Sequence, residues 1–128
     1  MRAHIIFYVA DQERSCHFYS EVLSIKPTLH VPGMTEFQLS ANCVLGLMPE
    51  SGIKRLLGDV LPDPSAARSV PRAELYLVID DCEKYYSRAV DNGARALSPA
   101  TLRDWGDVVA YCLDLDSHVL AFAQTNAD

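Results

Sequence analysis

The sequence has no basic excess. It sets 11 Lys and Arg against 17 Asp and Glu, a formal net charge of −6. Binding to phosphate backbones needs a basic face, so nucleic acid is not expected as a partner. No apolar run approaches the ~20 residues that a membrane helix needs, so no membrane association is expected either. The opening stretch, Met1 to Val9, has too short an apolar segment for a signal peptide and no small-residue cleavage site. A cytoplasmic location is the expectation that follows. No Gly-rich run follows a strand, which leaves no phosphate loop. Cysteine is sparse and scattered at Cys16, Cys43, Cys82 and Cys112, the nearest two being 27 positions apart. That spacing offers neither a CxxC pair nor a zinc ribbon. Cys43 and Cys112 sit in apolar runs and read as small core residues with reduced thiols. No Ser-His-Asp or Cys-His arrangement emerges from the spacing. Tryptophan occurs once, at Trp105.

What is present reads as a soluble globular domain: 128 residues, 49% hydrophobic and 22% charged, enough chain to bury a core. Its pattern occurs twice. Residues 4–9 are β-branched and aromatic and suit a buried strand. Asp11 offers an N-cap for a helix over 12–23 whose apolar face is Phe18, Tyr19, Val22 and Leu23. Pro27 stops that helix. Strands are expected near 27–31, 35–40 and 43–48, separated by Pro32-Gly33 and Ala41-Asn42 turns. The order then returns with a strand over 74–79 and a helix over 82–91. Asp80 and Glu83 have capping-box spacing, and Gly93 stands where a left-handed C-cap is wanted. Strands follow near 95–98, 107–113 and 118–124. The two halves are offset by about 70 residues, which sets His4 on Glu74 and Asp11 on Asp81, and such repetition fixes architecture. The reading is a single domain over 1–128, with modules 1–48 and 74–125 and a connector, 49–73. The connector holds a short helical stretch, Ile53 to Leu57, and a Lys54-Arg55 pair with two readings: solvated, or lying over a pocket mouth where it would favour an anion.

The whole chain resembles the glyoxalase/bleomycin resistance protein/extradiol dioxygenase family, the vicinal oxygen chelate superfamily. The resemblance is carried by His4 to Ser15, Phe18 to Leu23, Asn92-Gly93-Ala94, Arg103-Asp104-Trp105-Gly106 and Asp114-Leu115-Asp116-Ser117-His118. It implies an α+β fold in which two βαβββ modules form curved mixed sheets around a shared cavity. In metal-dependent members, four inward side chains from the first and last strands of each half hold one divalent ion. Position by position, this chain has His4 and Glu74 at two of them, and Gly46 and Ala121 at the other two. Catalytic zinc takes three protein ligands, so His4 and Glu74 alone make an incomplete metal site, to which Glu36 or Gln38 would have to add.

Strand alternation places His4, Ile6 and Tyr8 on one face of the first strand. The same parity groups them with Val44, Gly46 and Met48, and in the second half groups Glu74, Tyr76 and Val78 with Val119, Ala121 and Ala123. The candidate ligand-binding residues are therefore His4, Ile6, Tyr8, Gly46, Met48, Glu74, Tyr76, Trp105 and Ala121. They describe a mostly apolar pocket with a few polar points, and the resemblance implies that the loop with Trp105 borders it, where the ring can stack on a flat ligand. Two functions follow. One is a binding protein of the bleomycin-resistance type that holds a small apolar or aromatic molecule without a cofactor. The other is a lyase, isomerase or dioxygenase with one divalent metal on His4 and Glu74, where Glu74 moves the proton. The family resemblance also implies a homodimer.

Overall fold

The βαβββ order appears twice in the computed structural model, which describes residues 1–125; the last three residues of the expected domain lie outside it. The first half contains β1 (Ala3–Val9), α1 (Gln12–Leu23), β2 (Leu29–Val31), β3 (Met34–Ser40) and β4 (Cys43–Pro49). The second contains β5 (Glu74–Val78), α3 (Cys82–Asp91), β6 (Arg95–Leu102), β7 (Asp107–Leu113) and β8 (Val119–Thr125). Between them lie α2 (Glu50–Leu57) and two 3₁₀ turns, Gly58–Val60 and Pro64–Ala67. The chain divides into two units. One is Met1–Ser20 with Ser24–Arg68; the other is Glu21–Leu23 with the chain from Ser69 onward.

Each unit holds one four-stranded mixed sheet, ordered β1-β4-β3-β2 in the first and β5-β8-β7-β6 in the second. In both, the first strand runs parallel to the last and the remaining pairs are antiparallel. The parity read from the sequence holds in the register: His4, Ile6 and Tyr8 lie opposite Val44, Gly46 and Met48. Tyr76 and Val78 likewise lie opposite Ala121 and Ala123. One face of the first sheet is core, with Phe7, Val9, Phe37, Leu45 and Leu47 all buried. Tyr19 of α1 reaches that face, its ring 6.3 Å from Phe37. In the second sheet Leu75, Leu120 and Phe122 are buried, and Tyr85 of α3 sits 5.8 Å from Phe122.

The helix starts follow from side-chain chemistry. Asp11 accepts from the Arg14 amide at 3.1 Å and caps α1 as expected. The capping-box reading of Asp80 is corrected: Asp81 is the N-cap of α3 and accepts from the Lys84 amide at 3.1 Å. The 70-residue offset had set Asp81 against Asp11, so the repeat predicts this cap better than the local spacing does. Gly93 ends α3 at φ +107. Ala94 N–H donates to Ala89 O at 2.9 Å and Gly93 N–H to Val90 O at 3.2 Å, the paired bonds of a Schellman end. The connector is more helical than its Gly and Pro content suggests, because α2 extends three residues before Ile53. Strand β6 also runs past Pro99 to Leu102. It is a sheet edge with register shifts from Ala96 to Thr101, where a missing N–H costs little. All four cysteines are free.

Candidate functional site

Within the first unit, the face of the sheet opposite Phe7 and Phe37 carries His4, Ile6, Tyr8, Gly46 and Met48. Glu36 lies opposite Gly46 on β3, and its carboxylate is 3.3 Å from His4 Nδ1. His4 thus has an acidic partner inside its own sheet. Ile6 is exposed, Tyr8 and Met48 are half-buried, and Gly46 is buried. A Cβ at Gly46 would stand 3.1 Å from Ile6 Cγ1 and 3.2 Å from Met34 Sδ. The room left by the missing side chain is therefore taken up by these two neighbours.

In the second unit the corresponding face divides in two. Val109, Ala121 and Ala123 are wholly buried, with Tyr111 packed against them. Ala121 is thus floor, not opening. Around it lie polar and aromatic groups. Tyr76 O–H donates to Asp107 Oδ2 at 2.5 Å, and Trp105 Nε1–H donates to the Tyr76 oxygen at 3.0 Å. Trp105 nevertheless remains 55% exposed and Tyr76 36%. Partial burial, reinforced by Asp107, pushes the Tyr76 phenol above its ordinary pKa. Tyr111 is raised in the same sense, first by burial and then by the Glu74 carboxylate. The Arg103 guanidinium lies 5.1 Å from the Tyr111 ring centroid. It is held by Nη2–H bonds to Ser98 Oγ at 2.8 Å and Val109 O at 2.9 Å. Its Nε is buried and has no acceptor among the described residues.

The structure thus gathers Glu74, Tyr76 and Ala121 on one sheet, with Trp105 in the β6–β7 loop bonded to Tyr76, and His4, Ile6, Tyr8, Gly46 and Met48 on the other. Sequence reasoning missed Asp107, Tyr111 and Arg103. The signal for the first two was available: β7 alternation from Asp107 through Val109 to Tyr111 lands on the Tyr76 parity once the β5-β8-β7 order is known. Arg103 belongs to a loop, where no periodicity applies.

A metal of the kind the resemblance implies finds a poor donor set. His4 and Glu36 are two donors of one sheet, while Gly46 and Ala121 bring none. No group of three His, Cys, Asp or Glu side chains converges among the described residues. A catalytic ion needs about three protein ligands, so the groups present do not fit one. The face around Tyr76 offers something else: two fixed aromatic surfaces, two carboxylates and a hydrogen-bonding rim.

His118, read as part of a hairpin turn, is buried with Asp114 and Asp116. Asp114 Oδ1 accepts from the amides of Asp116 and His118 at 2.9 and 2.8 Å. Arg72 donates to His118 Nε2 at 3.1 Å and to Asp116 O at 2.8 Å. Because a guanidinium only donates, Nε2 carries the lone pair, and the ring proton lies on Nδ1, 2.9 Å from Asp114 Oδ2. This cluster braces the β7–β8 turn.

The comparisons agree with this architecture. The model of the Glyoxalase/Bleomycin resistance protein/Dioxygenase superfamily matches residues 2–122. No curated protein matches the chain. A glyoxalase-related enzyme from Fulvimarina pelagi superposes with a TM-score of 0.82 at 22% identity, covering 98% of this chain and 88% of that one. A glyoxalase/bleomycin resistance protein/dioxygenase family enzyme from Burkholderia phytofirmans gives 0.79 at 14% identity, with 95% and 96% coverage. A glyoxalase/bleomycin resistance protein/dioxygenase from Nocardioides gives 0.77 at 16% identity, with 98% and 83% coverage. At these identities the likeness to solved structures carries the fold alone, while the family model spans nearly every residue. With both βαβββ sheets in place, the chain belongs to the glyoxalase/bleomycin resistance protein/dioxygenase superfamily.

Proposed function

We propose that this protein binds a small, flat aromatic or apolar molecule, with Trp105 and Tyr76 as the stacking surface, and that it does so without a metal. The observation that carries this reading is the Trp105–Tyr76–Asp107 chain of hydrogen bonds. It holds two large rings in fixed positions while leaving both accessible. Such ordering lowers the entropy lost on binding, which is where much affinity is gained or forfeited. Asp107 and Glu74 make the rim acidic, and Arg103 Nε is a spare buried donor beside Tyr111. His4, Ile6, Tyr8, Gly46 and Met48 contribute as the corresponding surface of the first unit. On this reading the chain works as a homodimer, as its family resemblance implies, and in the cytoplasm.

The only tryptophan in the sequence is Trp105, so its emission reports on this surface alone. Titration with 2-naphthol should change that emission saturably. Calorimetry should then show about a fivefold loss of affinity in Trp105→Ala, because one ring stack is worth about 1 kcal/mol. Equal affinity of wild type and Trp105→Ala for 2-naphthol would overturn the assignment of this surface.

A further inference from the structure

The first unit contains a cleft of about 510 Å³ that the reading above does not use. It lies where α2 meets the two 3₁₀ turns, and its wall includes Glu50, Ser51, Arg55, Asp59, Ser65 and Arg68. Glu50 opens α2, and its side chain is only 6% exposed. A carboxylate taken that far out of water is strongly unfavourable unless a cation compensates it. The cation is Arg68, which forks onto it: Nε lies 3.0 Å from Oε1 and 3.4 Å from Oε2, and Nη2 lies 2.5 Å from Oε1.

The two partners are built differently. Glu50 is buried at the start of a helix. Arg68 is 55% exposed and follows the Pro64–Ala67 turn, none of whose residues is buried. Lys54 is committed elsewhere, its ammonium donating to Gly58 O at 3.0 Å and Leu61 O at 2.6 Å. Asp63 is likewise occupied in capping Ser65. The deepest recognition group of the cleft is therefore the Glu50 carboxylate, reached from the solvent side by a half-exposed side chain.

We propose that this cleft is a second ligand site, which takes a small molecule bearing a guanidinium or amidinium group on Glu50, in the place that Arg68 occupies. Arg68 is then a tethered occupant that keeps the buried carboxylate compensated while the site is empty of ligand. Arg68 thus presents two N–H donors from one planar edge, Nε and Nη2, to a single carboxylate, an arrangement an alkylammonium cannot reproduce. The volume is of the size that small-molecule sites have, so a guanidinium on Glu50 leaves room in the cleft for the rest of the ligand. A short tether holds its end group at an effective concentration in the millimolar range, so the wild-type protein should bind such ligands weakly and Arg68 variants more tightly.

The test uses agmatine as the probe, in calorimetry and thermal-shift measurements on the full chain at constant ionic strength. Arg68→Ala should bind agmatine at least tenfold more tightly than wild type and gain thermal stability with agmatine concentration. n-Butylamine should bind Arg68→Ala at least tenfold more weakly than agmatine, and Glu50→Gln/Arg68→Ala should lose agmatine binding. Should Arg68→Ala fail to fold, Arg68→Gln keeps a polar group against Glu50 and carries the same expectation. In wild type, tens of millimolar agmatine should shift the amide resonances of Ser51 and Ser65. The proposal is overturned if the Arg68 variants bind agmatine no better than wild type. It is equally overturned if butylamine matches agmatine, or if the Glu50 change leaves binding intact.

Discussion

At the scale of single residues, the decisive features are polar side chains whose partners lie far along the chain. Asp114 is the clearest. Its carboxylate accepts from two amides and from the His118 ring inside a buried turn. Asp114→Ala would leave those donors unpaired and should cost about 3 kcal/mol of stability, read by urea unfolding. Asp114→Asn, which keeps an acceptor for the amides, should lose clearly less. A loss below ~1 kcal/mol for Asp114→Ala would show that water replaces the carboxylate and that the turn is not braced this way. Residue chemistry also bears on the metal question. Protein purified without chelator or a metal-binding tag should carry far less than one Ni, Zn, Mn or Fe per chain. Near-stoichiometric metal, lost in His4→Ala, would favour the metal-dependent reading over the binding one.

At the scale of elements, the helix ends are where local sequence and repeat disagreed. Both Asp80 and Asp81 can cap, and the Asp80–Glu83 spacing points to the former. The structure selects Asp81, whose carboxylate reaches the Lys84 amide. Asp81→Ala should therefore cost about 1 kcal/mol, and Asp80→Ala close to nothing. Thermal unfolding of the two variants side by side decides it. At the other end of α3, Gly93 combines φ +107 with a Cβ position 3.2 Å from Leu115 Cδ2. Gly93→Ala should cost about 1–2 kcal/mol, from the strained backbone and the displaced leucine. An unchanged melting temperature would mean that the turn adapts to the methyl group.

At the scale of the whole molecule, buried thiols make stability depend on alkaline pH. Burial pushes Cys112 up to about 12 from an ordinary 9.0, and Cys16 and Cys82 are raised for the same first reason. The folded state keeps its proton where the unfolded chain has lost it, so the thiols' contribution to stability is constant well below pH 9 and falls above it. Cys112 alone contributes a slope of about 1.4 kcal/mol per pH unit between those two values. Denaturant titrations from pH 8 to 10.5 should show Cys112→Ala with a shallower decline than wild type, and parallel declines would remove Cys112 as the cause. By itself the sequence determined the repeat, the type and order of every strand and long helix, and which residues share a face. These depend on periods of two and 3.6 and on caps within a few positions, which adjacent residues impose on one another. Tertiary structure alone decided the partners: Glu36 for His4, Asp107 for Tyr76, Arg72 for His118 and Arg68 for Glu50. Each pair joins residues between 18 and 46 positions apart. Sheet register and loop path set such distances, and no local pattern encodes them. That is why Gly46 and Ala121 were recognisable as positions without ligands, while the packing of Ile6 and Met34 around Gly46 became visible only once β1, β3 and β4 lay side by side.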